Sequence, residues 1–232
     1  MTDPMTDPLT DSMTDATPAP ARSPTLDFSF PHRWRAEALA GRPMILPARH
    51  YVYPREVEEI ERGALEVLIH PMGAPEPALS LSKGPDFGTW ESGSIQLTPL
   101  AQPFLATCGL GFRDPIVPTG LWSAPNPDEI CAVSGGYAYM IDTAAPERFT
   151  MIPYRPVLEV RAAVEADLLL FVSNRSILAW GREGQAWEAE RLSSEGVTIT
   201  AIENGVLHGM GWDMRTDKET PFALDLRTGQ RS

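Results

Sequence analysis

Apolar residues in the last third of the chain fall into short runs, 168–173, 176–180, 185–191, 197–203, 206–212 and 221–226. They are broken by Ser173-Asn174-Arg175, Gly181-Arg182-Glu183-Gly184 and Asn204-Gly205. Such runs predict strands joined by hairpins, because Asn-Gly and Gly-rich turns accept the positive φ that a tight reversal needs. Further strands are expected at Ala64 to Ile69, Phe104 to Phe112, Ile130 to Ser134, Tyr137 to Thr143, Phe149 to Ile152 and Val157 to Ala162, with Gly135-Gly136 forming another turn. Roughly a dozen strands in about 165 residues predict an all-β antiparallel meander, most economically a small β-propeller-like fold, with a barrel or a sandwich as alternatives.

The first half is less regular. Residues 1–16 repeat Met-Thr-Asp-Pro and its variants, then Pro18, Pro20 and Pro24 follow, so a disordered tail is expected over 1–25 and a single β-rich domain over 26–232. The stretch 26–53 reads as loop-rich. One short helix is expected to open at Pro54, with Val57, Ile60 and Ala64 on one face and Gly63 as its stop. Pro75, Pro77 and Pro85, with Gly73, Gly84, Gly88 and Gly93, interrupt every apolar run over 73–99, which reads as a loop insertion.

Charge narrows the partners. The net charge is -12, of which the first 25 residues contribute -3, so the acidity belongs to the domain and opposes nucleic acid and anionic membrane as partners. No apolar stretch approaches a membrane span and no secretory signal opens the chain, so a cytoplasmic location is expected. Cys108 and Cys131 lie in apolar runs and fit reduced, buried thiols better than a disulfide framework.

Three places could carry chemistry. Trp122, Asn126 and Asp128 sit in a segment stiffened by Pro125 and Pro127, which suits either a preformed contact surface or an Asx turn that satisfies its own backbone. On a strand, His208, Met210 and Trp212 would share a face. Gly209 and Gly211 beside them would admit a ligand or another backbone, and the alternative is a core histidine. Asp213, Asp217 and Glu219 form the densest carboxylate group, but Arg215 and Lys218 intervene and a solvated hairpin tip accounts for it. His32, His50, His70 and His208 are dispersed and neither Cys has a paired ligand, so no metal and no cofactor is expected. No Gly-x-Ser-x-Gly elbow and no phosphate-binding glycine loop is present.

The stretch Ile177 to Trp187, with its Gly181-Arg182-Glu183-Gly184 turn, and the stretch Phe222 to Gln230 resemble blade hairpins of the quinoprotein-like β-propellers. Gly111 to Pro115, Pro118 to Asp128, Ser134 to Tyr139 and His208 to Asp213 resemble an uncharacterised bacterial β-rich family of unassigned function. These resemblances imply a fold and no reaction. The function expected is a non-catalytic binding or interaction module for an unknown protein or small-molecule ligand, using Trp122, Asn126, Asp128, His208, Trp212 and Asp213. The alternative is a small-molecule enzyme with a pocket near His208 and Asp213.

Overall fold

The computed structural model describes residues 23–54, 63–72 and 102–232, and sixteen strands run through them. The first sheet holds β2 (Trp34–Leu39), β4 (Ala64–Pro71), β5 (Phe104–Gly109) and β3 (His50–Tyr53), in that spatial order. The second orders β1 (Thr25–Asp27), β6 (Gly120–Ser123), β7 (Glu129–Ser134), β8 (Tyr137–Asp142) and β9 (Phe149–Met151). The third is a meander of β10 (Glu159–Ala163), β11 (Leu168–Val172), β12 (Ile177–Gly181) and β13 (Gly184–Ala189). The fourth is β14 (Val197–Glu203), β15 (Val206–Asp213) and β16 (Lys218–Asp225).

Three apolar clusters join the sheets face to face in this order. Trp34, Val67, Phe104, Leu121 and Tyr139 fill the seam between the first and second sheets. Trp122, Cys131, Met140, Phe171 and Trp180 fill the next. Leu170, Val172, Trp187, Leu207, Phe222 and Leu224 fill the last, between the third and fourth.

This order explains the two kinds of strand in the sequence. β11 reads Leu-Leu-Leu-Phe-Val without polar alternation because Leu168, Leu170 and Val172 face the last seam while Leu169 and Phe171 face the middle one. β14 alternates because its sheet lies at the end of the row, where Val197 and Ile199 pack inward and Thr198 and Thr200 meet water.

Several expectations need correction. The loop-rich segment 26–53 also carries three short strands that the sequence reading did not expect, β1, β2 and β3. Their signal is weak because the core-facing positions of β2 beyond Trp34 are only Ala36 and Ala38. The meander is not wholly antiparallel, because β1 runs parallel to β6 and β3 parallel to β5. At the first of these contacts a side chain on Gly120 would strike the Thr25 backbone. Among the described residues no sheet closes into a barrel. A single 3-10 turn, Val164–Ala166, is the helical element among the described residues. The helix expected from Pro54, the loop insertion at 73–99 and the tail as far as residue 22 fall outside the described residues.

Candidate functional site

The seam between the third and fourth sheets opens at both ends of its strands. At one end, the turn after β11, the β13–β14 connection and the end of β15 enclose a cleft of about 630 Å³. Trp212 and Asp213 line it together with Arg175, Arg191 and Arg231.

Backbone bonding holds this cleft open. Ser193 Oγ accepts the Trp212 and Glu195 amides at 2.8 and 3.1 Å, and the Ser194 amide donates to Trp212 O at 2.7 Å. Arg175 Nε donates to Ser194 O at 3.0 Å, and one Arg231 Nη donates to Arg191 O at 3.3 Å. Each guanidinium therefore spends one donor on a carbonyl and keeps others for a ligand, since arginine carries five. None of the ion pairs between described residues uses Arg175, Arg191 or Arg231. Of the three acids in the lining, Asp213 is committed to its own turn, accepting from the Arg215 amide at 2.9 Å and Thr216 Oγ1 at 3.1 Å. Glu190 and Glu195 stand exposed at the rim.

The six residues singled out from sequence do not converge. Trp212 and Asp213 reach the cleft, where Trp212 Nε1 donates to Asp217 Oδ1 at 3.2 Å. His208 sits two residues earlier than Met210 on the exposed face of β15, outside the cleft lining. The glycines beside it admit no ligand, because the Phe222 ring occupies the space at Gly209 and the Leu192 backbone that at Gly211. Trp122 is 4% exposed, so its ring belongs to the core rather than to a contact surface. Asn126 Oδ1 accepts the Asp128 amide at 3.1 Å, the Asx turn. The Asp128 carboxylate grips Arg33 through Nε at 2.8 Å and through Nη2, tying the start of β2 to the second sheet.

A second polar group spans the first sheet and has no counterpart among the residues chosen from sequence. Register places Glu66 opposite Thr107 across β4 and β5. Thr107 Oγ1 donates to Glu66 Oε2 at 2.6 Å and, with its proton so used, accepts from His50 Nε2 at 2.8 Å. Glu66 and Thr107 are buried, at 6% and 1% exposure. Burial and the Arg42 charge hold the His50 pKa below its ordinary value, with Glu66 pulling the other way, so the ring is neutral with its proton on Nε2. The members come from three strands separated by long stretches of chain, and no local spacing announces them.

A third titratable group is Glu129 at the start of β7, whose pKa is raised by burial. Trp180 Nε1 donates to its Oε2 at 2.9 Å and opposes that rise, while the charges of Asp142 and Asp128 add to it.

Compared with known proteins, the chain matches no family model and no curated relative at a significant level.

Proposed function

We propose that the protein is a non-catalytic binding module whose four stacked sheets act as propeller-like blades in the cytoplasm. Its ligand is a small molecule or peptide bearing an oxyanion. The observation that carries this reading is the cleft of about 630 Å³ in which Arg175, Arg191 and Arg231 stand beside Trp212 with no carboxylate among the described residues paired to them. Guanidinium forks suit carboxylate or phosphate, and an indole face offers a stacking surface for a planar group. Glu190 and Glu195 at the rim, and the net charge of -12, argue against a polyanion such as nucleic acid, which needs an unbroken basic track. The blade-like hairpins of the third and fourth sheets support the propeller reading.

The test is a native mass spectrum of the full chain purified gently from its host, beside the Arg175→Ala/Arg231→Ala variant. A stoichiometric small adduct on the parent protein that the variant loses supports the reading. An adduct retained at full occupancy by the folded variant overturns it.

One observation favours the enzyme as a second reading. The Glu66–Thr107–His50 chain fixes the proton of His50 on Nε2 and leaves Nδ1 as a base. On that reading the proton carrier is His50, on β3, rather than His208 or Asp213.

A further inference from the structure

A protruding loop on the first sheet and a cleft at the far end of the last seam complement one another. The connection between β2 and β3 displays Met44, Ile45 and Leu46 at 103%, 89% and 40% exposure. Pro43 and Pro47 bracket them, and proline fixes φ while offering no amide donor, so the segment is held away from sheet pairing. Behind it Arg49 is pinned, stacked 5.6 Å over Tyr51 and 5.7 Å over Phe104. Exposed large apolar side chains elsewhere among the described residues are not consecutive, whereas these three form one continuous tip. Arg42 lies exposed at the base of the tip and forms no ion pair with a described residue.

The receiving feature lies at the other end of the same strands that frame the arginine cleft. There the third and fourth sheets splay into a cleft of about 910 Å³ lined by Val164, Leu168, Ile202, Val206 and Leu226. Glu165 and Asp225 also line it, against one cation, Arg227. The lining is thus apolar with a net negative edge, and the tip is apolar with a positive base.

We propose that the 42–49 loop of one copy docks into this cleft of a second copy. Charge complementarity and the single apolar tip select this occupant, and both halves of the contact exist on every chain. Because loop and cleft are different surfaces present on every chain, the contact either closes reciprocally in a two-fold pair or propagates head to tail into chains or rings. Three apolar side chains set against the loss of rotational and translational freedom make it a weak association that grows with concentration.

Sedimentation velocity of the full chain across the micromolar range reads this directly. The parent protein is expected to grow in mass with concentration. Ile45→Asp, at a solvent-exposed tip, and Val164→Asp, at a site 50% exposed, are each expected to weaken association by about ten- to a hundredfold. An equimolar mixture of the two variants retains one good loop and one good cleft, so it should recover a heterodimer and stop there. A parent that stays monomeric overturns the proposal, as does association that survives either variant or a mixture that fails to pair. Should Val164→Asp fail to fold, Ile45→Cys/Val164→Cys replaces it: mild oxidation should give covalent dimers or a ladder of longer oligomers, and only monomer would overturn the proposal. The native Cys108 and Cys131 are fully buried and contribute none.

Discussion

Replacing Thr107 by Val removes one hydroxyl from the centre of the Glu66–Thr107–His50 chain while nearly keeping the side-chain shape. The substitution strips Glu66 of a donor at 2.6 Å in a place where its carboxylate is 6% exposed. A hydrogen bond to a charged group contributes about 1.5–3 kcal/mol, and a buried acceptor left unsatisfied adds about 1–3 kcal/mol more. His50 is only half-buried and recovers its lost partner from water, so it adds little. The expected loss is therefore about 2.5–6 kcal/mol, a fall in Tm of about 5–24 °C for a domain of this size. Urea denaturation followed by tryptophan fluorescence should show the midpoint falling with an unchanged slope. The pair Glu66→Met/Thr107→Val removes both groups at once and should cost far less than the two single changes added together. A Thr107→Val loss under about 1 kcal/mol, or strict additivity in the pair, would refute the assignment of a buried, energetically coupled carboxylate.

Four further outcomes follow from individual residues. Ser134 Oγ is buried without a hydrogen-bond partner among the described residues, so Ser134→Ala should raise stability in urea melts by up to about 1 kcal/mol, and a loss would contradict the orphaned hydroxyl. Gly211→Ala should destabilise by about 1–3 kcal/mol, because the new methyl meets the Leu192 carbonyl, which cannot rotate away as a side chain can. Burial pushes the Cys108 and Cys131 thiols up, so thiol labelling of the native protein should proceed only as fast as it opens, and rapid native labelling would contradict their placement. The His50 pKa in the folded state lies below its ordinary 6.5, so the unfolded chain binds that proton more readily. Its share of stability is whole above 6.5, is lost as the pH falls from there through the folded value, and should appear as the pH-dependent part of the difference between parent and His50→Gln melts.

Legibility differed between the halves of the chain for reasons of environment. The strands from Leu168 onward were readable because Gly184 and Gly205 adopt positive φ at their turns, as Gly-containing hairpins demand. β2 was not readable, since Trp34-Arg35-Ala36-Glu37-Ala38 alternates only weakly and Ala favours no strand. Trp122 reads as part of a stiff contact segment because Pro125 and Pro127 follow it, whereas it lies on β6, where Leu121 and Trp122 point into two different cores. Of the candidate site, local pattern marks Trp212 and Asp213 but not Arg175, Arg191 and Arg231, because these lie on two separate connections and on the segment after β16.

Sequence alone determined what depends on neighbours along the chain. The β class, the hairpin turns and the buried thiols follow from residue type and local pattern, while the Asx turn at Asn126 is one of the two readings its local sequence allows. Tertiary structure decided what depends on distance across the fold. It chose which glycine gaps are filled by Phe222 and by the Leu192 backbone, set Glu66 against Thr107 and His50, and stacked the sheets so that β11 is dry on both faces while β14 is wet on one. The physical reason is that turn chemistry acts over a few bonds, whereas burial and convergence of charge are properties of surfaces that meet only when remote strands pack.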